Sequence, residues 1–221
     1  MQRILKSTSD GSFTLFVPEL NEHYHSIHGA LSESEHIFIR AGLDEIIPQF
    51  DQINILEFGL GTGLNALLTI QKAQLINKSI FYHSLEKYPV LTSEFQFDDN
   101  LLQVFSNLNI PEILYQNWEV DFSIDSQTII HKSQIDFLEF KPFRKYHLVY
   151  FDAFAPEVQP KLWTPILFQK IYDAMAFGGI LISYCAKGQF KRDLKNVGFT
   201  IEGLPGPPGK REITRAKKSF P

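Results

Sequence analysis

The chain has 221 residues, 44% of them hydrophobic and 14% aromatic, which is enough to bury one sizeable core. Its single cysteine, Cys185, excludes an intramolecular disulfide and a zinc site built from cysteines, as is typical of a reducing compartment. The net charge of -4 excludes a basic coat over the whole surface. We predict one cytoplasmic domain over residues 1–221, with an N-terminal extension or lid over 1–50 and a core over 51–221.

Charge and hydropathy are unevenly distributed along the chain. Residues 187–218 carry nine Lys or Arg against three acids, a local balance of +6, which leaves -10 for the remainder. Such asymmetry is typical of a polyanion-binding edge or, more commonly, of a solvated charged run. The first residues lack the apolar run of a secretory signal, and no stretch approaches the roughly 18 apolar residues of a membrane span. No membrane association is therefore expected.

Strands and helices are predicted in alternation. A short strand, FTLFV, precedes a helix that Ser32 and Glu35 open at capping-box spacing. Apolar runs bounded by turn residues predict strands at INILEFG, IFYHSLE, HLVYFDAF and GGILISYC. The helix TPILFQKIYDAMAFGG is expected to stop at Gly178 and Gly179. Residues 112–135 are compatible with extra strands in EILYQNW, DFSI and QTIIHKSQI.

This alternation predicts an α/β fold with a mostly parallel, doubly wound sheet and helices on both faces. The segment GFTIEGLPGPPGKREITRA holds two β-like runs joined by a Pro/Gly loop, which predicts an antiparallel hairpin at the sheet edge. Ligands of such sheets bind outside the carboxyl ends of the strands. The candidate site residues are therefore those that directly follow predicted strands.

Three glycines, Gly59, Gly61 and Gly63, follow the strand NILEF and precede a helical pattern. Glycine permits positive φ and lets a ligand approach the backbone. The spacing E-x-G-x-G-x-G differs from the dinucleotide fingerprint G-x-G-x-x-G, which places a pyrophosphate on a helix N-terminus. Glu57 would be misplaced beside a pyrophosphate and useful beside the cationic groups of S-adenosylmethionine (SAM). The pattern favours SAM over NAD, and a strand-to-helix turn without a ligand is the remaining alternative.

Acids follow two further strands. Glu86 ends IFYHSLE, where an acid can accept both ribose hydroxyls of either cofactor, although a solvated acid is the alternative. Asp152 follows the apolar run of HLVYFDAF, where cofactor and substrate meet, and a helix or turn cap is its alternative. Phe154, Pro156 and Trp163 are candidates for walling a pocket, and each is equally compatible with the core.

With EFGLGTGLNALLT, SLEKYPV, FDAFAP, LWT and GKREITRA in this order, the sequence resembles the methyltransferase domain of the MnmC kind. D-x-F-x-P, LW and the closing KRE carry the resemblance more specifically than the glycine motif, which a whole superfamily shares. The resemblance implies a Rossmann-like class I methyltransferase. It also implies methyl transfer from SAM to the primary amine of 5-aminomethyl-(2-thio)uridine at the tRNA wobble position.

The same resemblance implies roles for individual residues. The donor is lined by the residues of the glycine motif, which are Glu57, Gly59, Gly61 and Gly63. Glu86 holds the ribose, and Asp152 faces and orients the accepting amine. Either Gln134 or Asp136 meets the adenine N6, because the glycine-aspartate pair of the family aligns with Ser133 and Gln134, and Asp136 comes two residues later.

Many relatives carry a C-terminal flavin-dependent oxidase that this sequence does not contain. We therefore expect no flavin, with a separate oxidase or aminomethylating enzyme supplying the substrate. His23, Tyr24, His25 and His28 cluster in NEHYHSIHG, but their loose spacing and the lack of an acid pair argue against a metal site. One of the four is instead expected to cover the donor as a lid.

Lys210 and Arg211 of PGPPGKRE are expected to reach phosphates near the tRNA anticodon, and a solvated hairpin tip is the alternative. Two other functions stay open at this point. One is a class I methyltransferase or aminopropyltransferase acting on a small amine, and the other is a non-catalytic SAM-binding or RNA-binding module.

Overall fold

The computed structural model describes residues 2–95, 97 and 99–220. The strands are β1 Ile4–Ser7, β2 Phe13–Val17, β3 Glu22–His23, β4 Gln52–Phe58, β5 Ser79–Leu85, β6 Asp121–Ser123, β7 Thr128–Ser133, β8 Tyr146–Phe151, β9 Met175–Ser183, β10 Thr200–Pro205 and β11 Glu212–Lys217. The helices are α1 Ala30–Ser34, a π-helix Glu35–Leu43, α2 Asp44–Ile46, α3 Leu64–Leu75, α4 Asp99–Val104, α5 Ile110–Tyr115, α6 Pro165–Ala174 and α7 Gly188–Asn196, with 3-10 turns at Phe137–Glu139 and Pro160–Leu162.

Eight strands form the main sheet in the order β10-β11-β9-β8-β4-β5-β7-β6. The five central strands are parallel, whereas β6 and the β10–β11 hairpin pair antiparallel at the two edges. The predicted α/β fold with its antiparallel C-terminal hairpin is confirmed. The chain runs outward from β4 through β5 to β7 and then returns to β8, so the strand order reverses between β4 and β8.

Both faces of the sheet are buried, as parallel strands require. Residues of β4 alternate between the two cores: Ile53 and Ile55 pack with α3 and the π-helix, and Leu56 and Phe58 pack with α6 and α7. A second sheet, β1-β2-β3, is built from the N-terminal segment. Within the described residues, no helix combines the length and the apolar character needed to cross a bilayer.

Local patterns misplaced two helix boundaries. The expected capping box at Ser32 and Glu35 is wrong, because α1 begins earlier and Asp10 Oδ2, from a distant turn, accepts the backbone N–H of Ser32 at 3.1 Å. The expected helix end at Gly178 is also wrong. The helix stops at Ala174, since the following residues join β9 and Gly178 adopts a φ of +80° where the pairing of β8 with β9 shifts register.

The segment 112–135 contains one helix and two strands. DFSI and QTIIHKSQI contain β6 and β7, as expected. EILYQNW instead begins inside α5, which covers Ile110–Tyr115 and starts with a proline in its first turn, a position where proline is well tolerated. The buried side chains of Ile113 and Leu114 explain why an apolar run here is helical rather than extended.

Candidate active site

The loops after β4 and β8 meet where the strand order reverses. Gly59 has a φ of +99°, and a Cβ on it would lie 2.8 Å from the Asp152 carbonyl oxygen. The Asp152 N–H donates to the Phe58 carbonyl at 3.1 Å. Because only glycine permits this approach, the sequence after β4 fixes Asp152 beside the glycine loop.

Glu86, directly after β5, holds the glycine loop. One of its carboxylate oxygens accepts the Gly61 N–H at 3.2 Å, and the other accepts the Tyr88 N–H at 2.8 Å. Burial raises the pKa of Glu86, and these backbone N–H groups oppose the rise. Glu86 therefore organises the loop in addition to facing the cavity described next.

A cavity of about 330 Å³ opens above these loops. Its floor includes Gly59, Gly61, Glu86 and Asp152, as expected for residues that follow parallel strands. The described lining carries four acids against one lysine: Glu22, Glu33, Glu86, Asp152 and Lys210. This charge balance suits a cationic ligand.

Asp152 is partly buried and oriented by α3. The Asn65 Nδ2 donates to Asp152 Oδ2 at 2.9 Å. Burial raises the pKa of Asp152 to about 7, the nearby Glu33 carboxylate raises it further, and the Asn65 hydrogen bond opposes both. The carboxyl group is therefore able to exchange a proton near neutral pH.

Glu57 lies below the glycine loop rather than in the cavity lining. It is fully buried, and Ser84 Oγ donates to its Oε2 at 2.7 Å. Its Oε1 has no hydrogen-bond partner among the described residues. Burial raises the pKa of Glu57 to about 8, against the effect of the Ser84 hydrogen bond. Its predicted contact with the donor stays a prediction.

The protonation of Glu57 makes stability depend on pH. Its folded-state pKa is raised above the unfolded value, so its contribution to stability is complete below about pH 4.5 and is lost as pH rises through about 8. We expect Glu57→Gln to be near neutral at pH 4.5 and to raise the free energy of unfolding by on the order of a few kcal/mol at pH 9. Urea unfolding at both pH values measures this.

A partly exposed acid of the π-helix, Glu35, provides the control for this prediction. Its side chain is 37% exposed and lies 3.6 Å from Arg40 in a surface pair. Glu35→Gln should shift stability equally at both pH values. Parallel pH curves for Glu57→Gln and the unmodified protein would contradict the raised pKa.

The N-terminal sheet forms the roof of the cavity. Tyr24 lies on the glycine loop, since a Cβ on Gly61 would lie 2.9 Å from its Cδ1, and its ring meets Phe154 edge-on at 5.1 Å. Arg3 Nε donates to the Tyr24 hydroxyl at 2.9 Å, and Arg3 Nη1 lies 2.7 Å from Glu94 Oε2. These contacts tie the N-terminal sheet to the segment that follows Glu86.

The histidine cluster divides between the cavity and its surroundings. His23 and His25 line the cavity, whereas His28 lies against Gly209 of the C-terminal loop. His25 Nε2 lies 2.8 Å from Thr62 Oγ1, and burial lowers the pKa of His25. Within the ranges that the structure describes, no group of three or more His, Cys, Asp or Glu is arranged to hold a metal ion.

The two adenine candidates lie outside the described lining. The Gln134 N–H donates to Glu119 Oε1 at 2.6 Å. Asp136 accepts the Leu138 N–H at 3.0 Å and lies 2.7 Å from Lys87 Nζ. Phe137, next to Asp136, does line the cavity. A contact of Gln134 or Asp136 with adenine therefore stays a prediction.

The remaining residues predicted to lie near the site differ in their position relative to the cavity. Gly63, with a φ of +81°, starts α3 and packs under Leu114. Phe154 lines the cavity, whereas Pro156 is outside the lining. Trp163 belongs to the core and supports the loop from behind, because its Nε1 donates to the Phe154 carbonyl at 2.8 Å.

Lys210 and Arg211, the two residues predicted to contact phosphates, differ in their surroundings. Arg211 is exposed, as expected of a residue that contacts phosphates. Lys210 instead points into the cavity, where its Nζ lies 2.7 Å from Glu33 Oε1. Sequence reasoning missed Glu33 and Asn65. For Asn65, a single polar residue within the otherwise apolar start of α3, LNALL, was an available signal.

The sheet is open and mostly parallel, with a glycine loop after β4. One acid, Glu86, follows β5, and another, Asp152, follows β8, where the strand order reverses. This combination defines an α/β protein that binds an adenosyl-type ligand across its strand ends. The profile of a family described as S-adenosyl-L-methionine-dependent methyltransferase matches residues 104–219. The chain belongs to this family of methyltransferases.

Individual proteins are similar to the chain over most of its length. The chain is 27% identical over 218 residues to the tRNA 5-methylaminomethyl-2-thiouridine biosynthesis bifunctional protein MnmC of Burkholderia mallei (strain SAVP1), covering 90% of this chain and 33% of that protein. It is 28% identical to the uncharacterized protein MJ0670 of Methanocaldococcus jannaschii, covering 99% and 60%. The chain thus spans about one third of the bifunctional relative.

A solved structure shares the fold over the whole chain. It is MNMC2 from Aquifex aeolicus, with a TM-score of 0.83 at 24% sequence identity, covering 100% of this chain and 72% of that one. This similarity shows that the two proteins share one fold.

The cavity fits the methyl donor of the family. Gly59 and Gly61 line the cavity, Glu86 faces it from the end of β5, and the acidic lining favours a cation. When bound, SAM supplies an electrophilic methyl group. Gly59, Gly61 and Glu86 are the residues that would hold it.

Proposed function

We propose that the protein methylates the primary amine of 5-aminomethyl-(2-thio)uridine at the wobble position of tRNA, using SAM. Asp152 carries this proposal: an acid with a pKa raised to about 7, fixed by Asn65 beside the glycine loop. A carboxylate there suits an amine acceptor, since it accepts an N–H bond and stabilises the positive charge that grows on nitrogen.

The residues of the site act mainly through alignment. An alkylammonium has no lone pair to donate, so the acceptor nitrogen must be neutral when it reacts. Asp152 receives one N–H bond and directs the lone pair, and at its raised pKa it also receives the proton that the nitrogen loses. Tyr24 and Phe154 cover the reacting groups and exclude water.

The tRNA part of the proposal has separate support. The bifunctional relative is named for tRNA 5-methylaminomethyl-2-thiouridine biosynthesis. In addition, residues 187–218 carry a balance of +6, and Arg211 is exposed beside the cavity-lining Lys210. Arg211 thus places an exposed positive charge next to a residue of the acidic cavity, which suits a polyanion that carries an amine.

The proposal is tested with labelled SAM and tRNA bearing 5-aminomethyluridine, with free polyamines in a parallel reaction and nucleosides followed by mass spectrometry. We expect one methyl group on the wobble nucleoside. Transfer to a polyamine alone would assign a small-amine enzyme, and SAM binding without transfer would assign a binding module.

The expected contact with tRNA phosphates is tested at Arg211. We expect Arg211→Glu to weaken tRNA affinity several-fold and to lower the slope of log affinity against log salt by about one, with SAM affinity unchanged. Lys145→Glu is the control, because Lys145 is exposed directly before β8, at the end of the sheet opposite the cavity. Equal tRNA affinities for both variants over a salt series would refute the phosphate contact of Arg211.

A further inference from the structure

Glu33 of α1 is a second acid of the cavity. The residue is 8% exposed, and its Oε2 accepts the Ser26 N–H at 2.8 Å. Its Oε1 lies 2.7 Å from Lys210 Nζ, yet no described residue gives this oxygen a directed hydrogen bond. A buried carboxylate oxygen in this position is well placed to accept a hydrogen bond from a ligand.

Glu33 and Asp152 belong to different walls of the same cavity. Glu33 comes from α1 at the N-terminal side, and Asp152 follows β8 at the sheet. They are close enough for the Glu33 charge to raise the pKa of Asp152. The Glu33 charge thus disfavours the ionisation of Asp152, and a polar hydrogen or a cationic group between the two acids would offset this effect.

Lys210 shows what kind of group this space accepts. Its ammonium lies beside Glu33 and 4.4 Å from the centre of the Tyr184 ring. The Tyr184 hydroxyl in turn donates to the Ala153 carbonyl at 2.9 Å, next to Asp152. A carboxylate and an aromatic face together form a receptor for an alkylammonium.

We propose that Glu33 is an acceptor-binding residue whose Oε1 receives one N–H of the substrate aminomethyl group, in place of the Lys210 ammonium, while Asp152 receives another. This inference rests on the proposed amine acceptor. A neutral primary amine has two N–H bonds and one lone pair, so donation to two acids leaves the lone pair free for the methyl group. The singly methylated product has one N–H left and is held by only one acid.

The arrangement also supplies selectivity. A uridine without the aminomethyl group brings no N–H donor to Glu33 and Asp152 and would displace the Lys210 ammonium without replacing it. Leaving buried acids without a partner disfavours binding more strongly than a missing apolar contact does. Glu33 therefore distinguishes aminomethylated tRNA from unmodified tRNA.

Glu33→Gln tests this role, because the amide oxygen can keep the Ser26 hydrogen bond while the charge is lost. We expect a KM for aminomethylated tRNA about ten- to hundred-fold higher, SAM affinity within about two-fold, and a similar fall in the ratio of affinities for aminomethylated over unmodified tRNA. Glu33→Asp, which keeps the charge, should lie between. Glu35→Gln is the matched control on the same helical stretch and should leave all three values unchanged.

A double-mutant cycle with Lys210→Met distinguishes two roles of Glu33, which are binding the acceptor amine and holding Lys210 in place. If Glu33 served only to hold Lys210, Glu33→Gln would add nothing in the Lys210→Met background. The proposal requires the KM increase in both backgrounds. An unmodified protein that transfers no methyl group to aminomethylated tRNA overturns the proposed function, whereas an active protein with an unchanged KM for Glu33→Gln overturns this inference alone.

Discussion

Asp152→Asn should bind SAM normally and lose about a hundred- to ten-thousand-fold in kcat. The asparagine oxygen can still accept the Asn65 N–H that holds Asp152 at 2.9 Å, so the loop should keep its position. What disappears is the group that receives a proton and balances the charge growing on nitrogen. Single-turnover transfer to aminomethylated tRNA, together with calorimetric titration of SAM, measures both quantities.

The pH profile gives this prediction a second readout. Asp152 must be ionised to accept a proton, and its pKa is raised to about 7, so the rate should fall as pH drops below about 7. That limb should vanish from the residual activity of Asp152→Asn. Asp173→Asn, at an exposed position of α6, should keep the full rate and the limb. An active Asp152→Asn variant would remove Asp152 from the mechanism.

Gly61→Val should abolish SAM binding, with at least about a hundred-fold loss of affinity. The position has a φ of +54°, where β-branched residues are strained, and a Cβ would meet the Tyr24 ring at 2.9 Å. The valine would therefore displace the Tyr24 ring from the glycine loop and disrupt the cavity that Tyr24 and Gly61 both line. Isothermal titration with SAM measures the loss.

Gly11→Val separates crowding from strain. Gly11 has a φ of +82°, but no atom lies within 4 Å of the place that a Cβ would occupy, so the substitution changes the backbone preference alone. We expect it to lower stability and leave SAM affinity intact. Unchanged SAM affinity in Gly61→Val would disprove the placement of the donor at the glycine loop.

The sheet was predictable because its signals are local. Apolar runs bounded by turn residues located the central strands, and glycine spacing located the turn after β4. Positions that depend on distant partners were not predictable. Asp10 accepts a backbone N–H of α1 from a turn outside the helix. Gly178 lies in β9 because residues on both sides of it, Met175 and Ile180, pair with β8, and its own N–H donates to the Lys218 carbonyl at 2.8 Å.

The residues of the site also fall into those that local sequence signals predict and those that depend on distant partners. Acids that follow strands, such as Glu86 and Asp152, reached the cavity because parallel strands end at one edge. Glu57, inside its strand, lies below the loop, since the strand turns its side chain into the core. Lys210 and Glu33 come together through the packing of the hairpin loop on the N-terminal segment, and no spacing in the sequence encodes that contact.

Because Tyr24 supplies the roof and Lys210 a wall, the cavity is complete only after the C-terminal hairpin has docked. During synthesis the glycine loop leaves the ribosome long before Lys210 does. We therefore expect the donor to bind only the complete fold and to protect all of it, adding about 2.7 kcal/mol at a concentration of 100 times Kd. The supply of methyl donor in the cell would then govern how long the protein resists proteolysis as well as how fast it works.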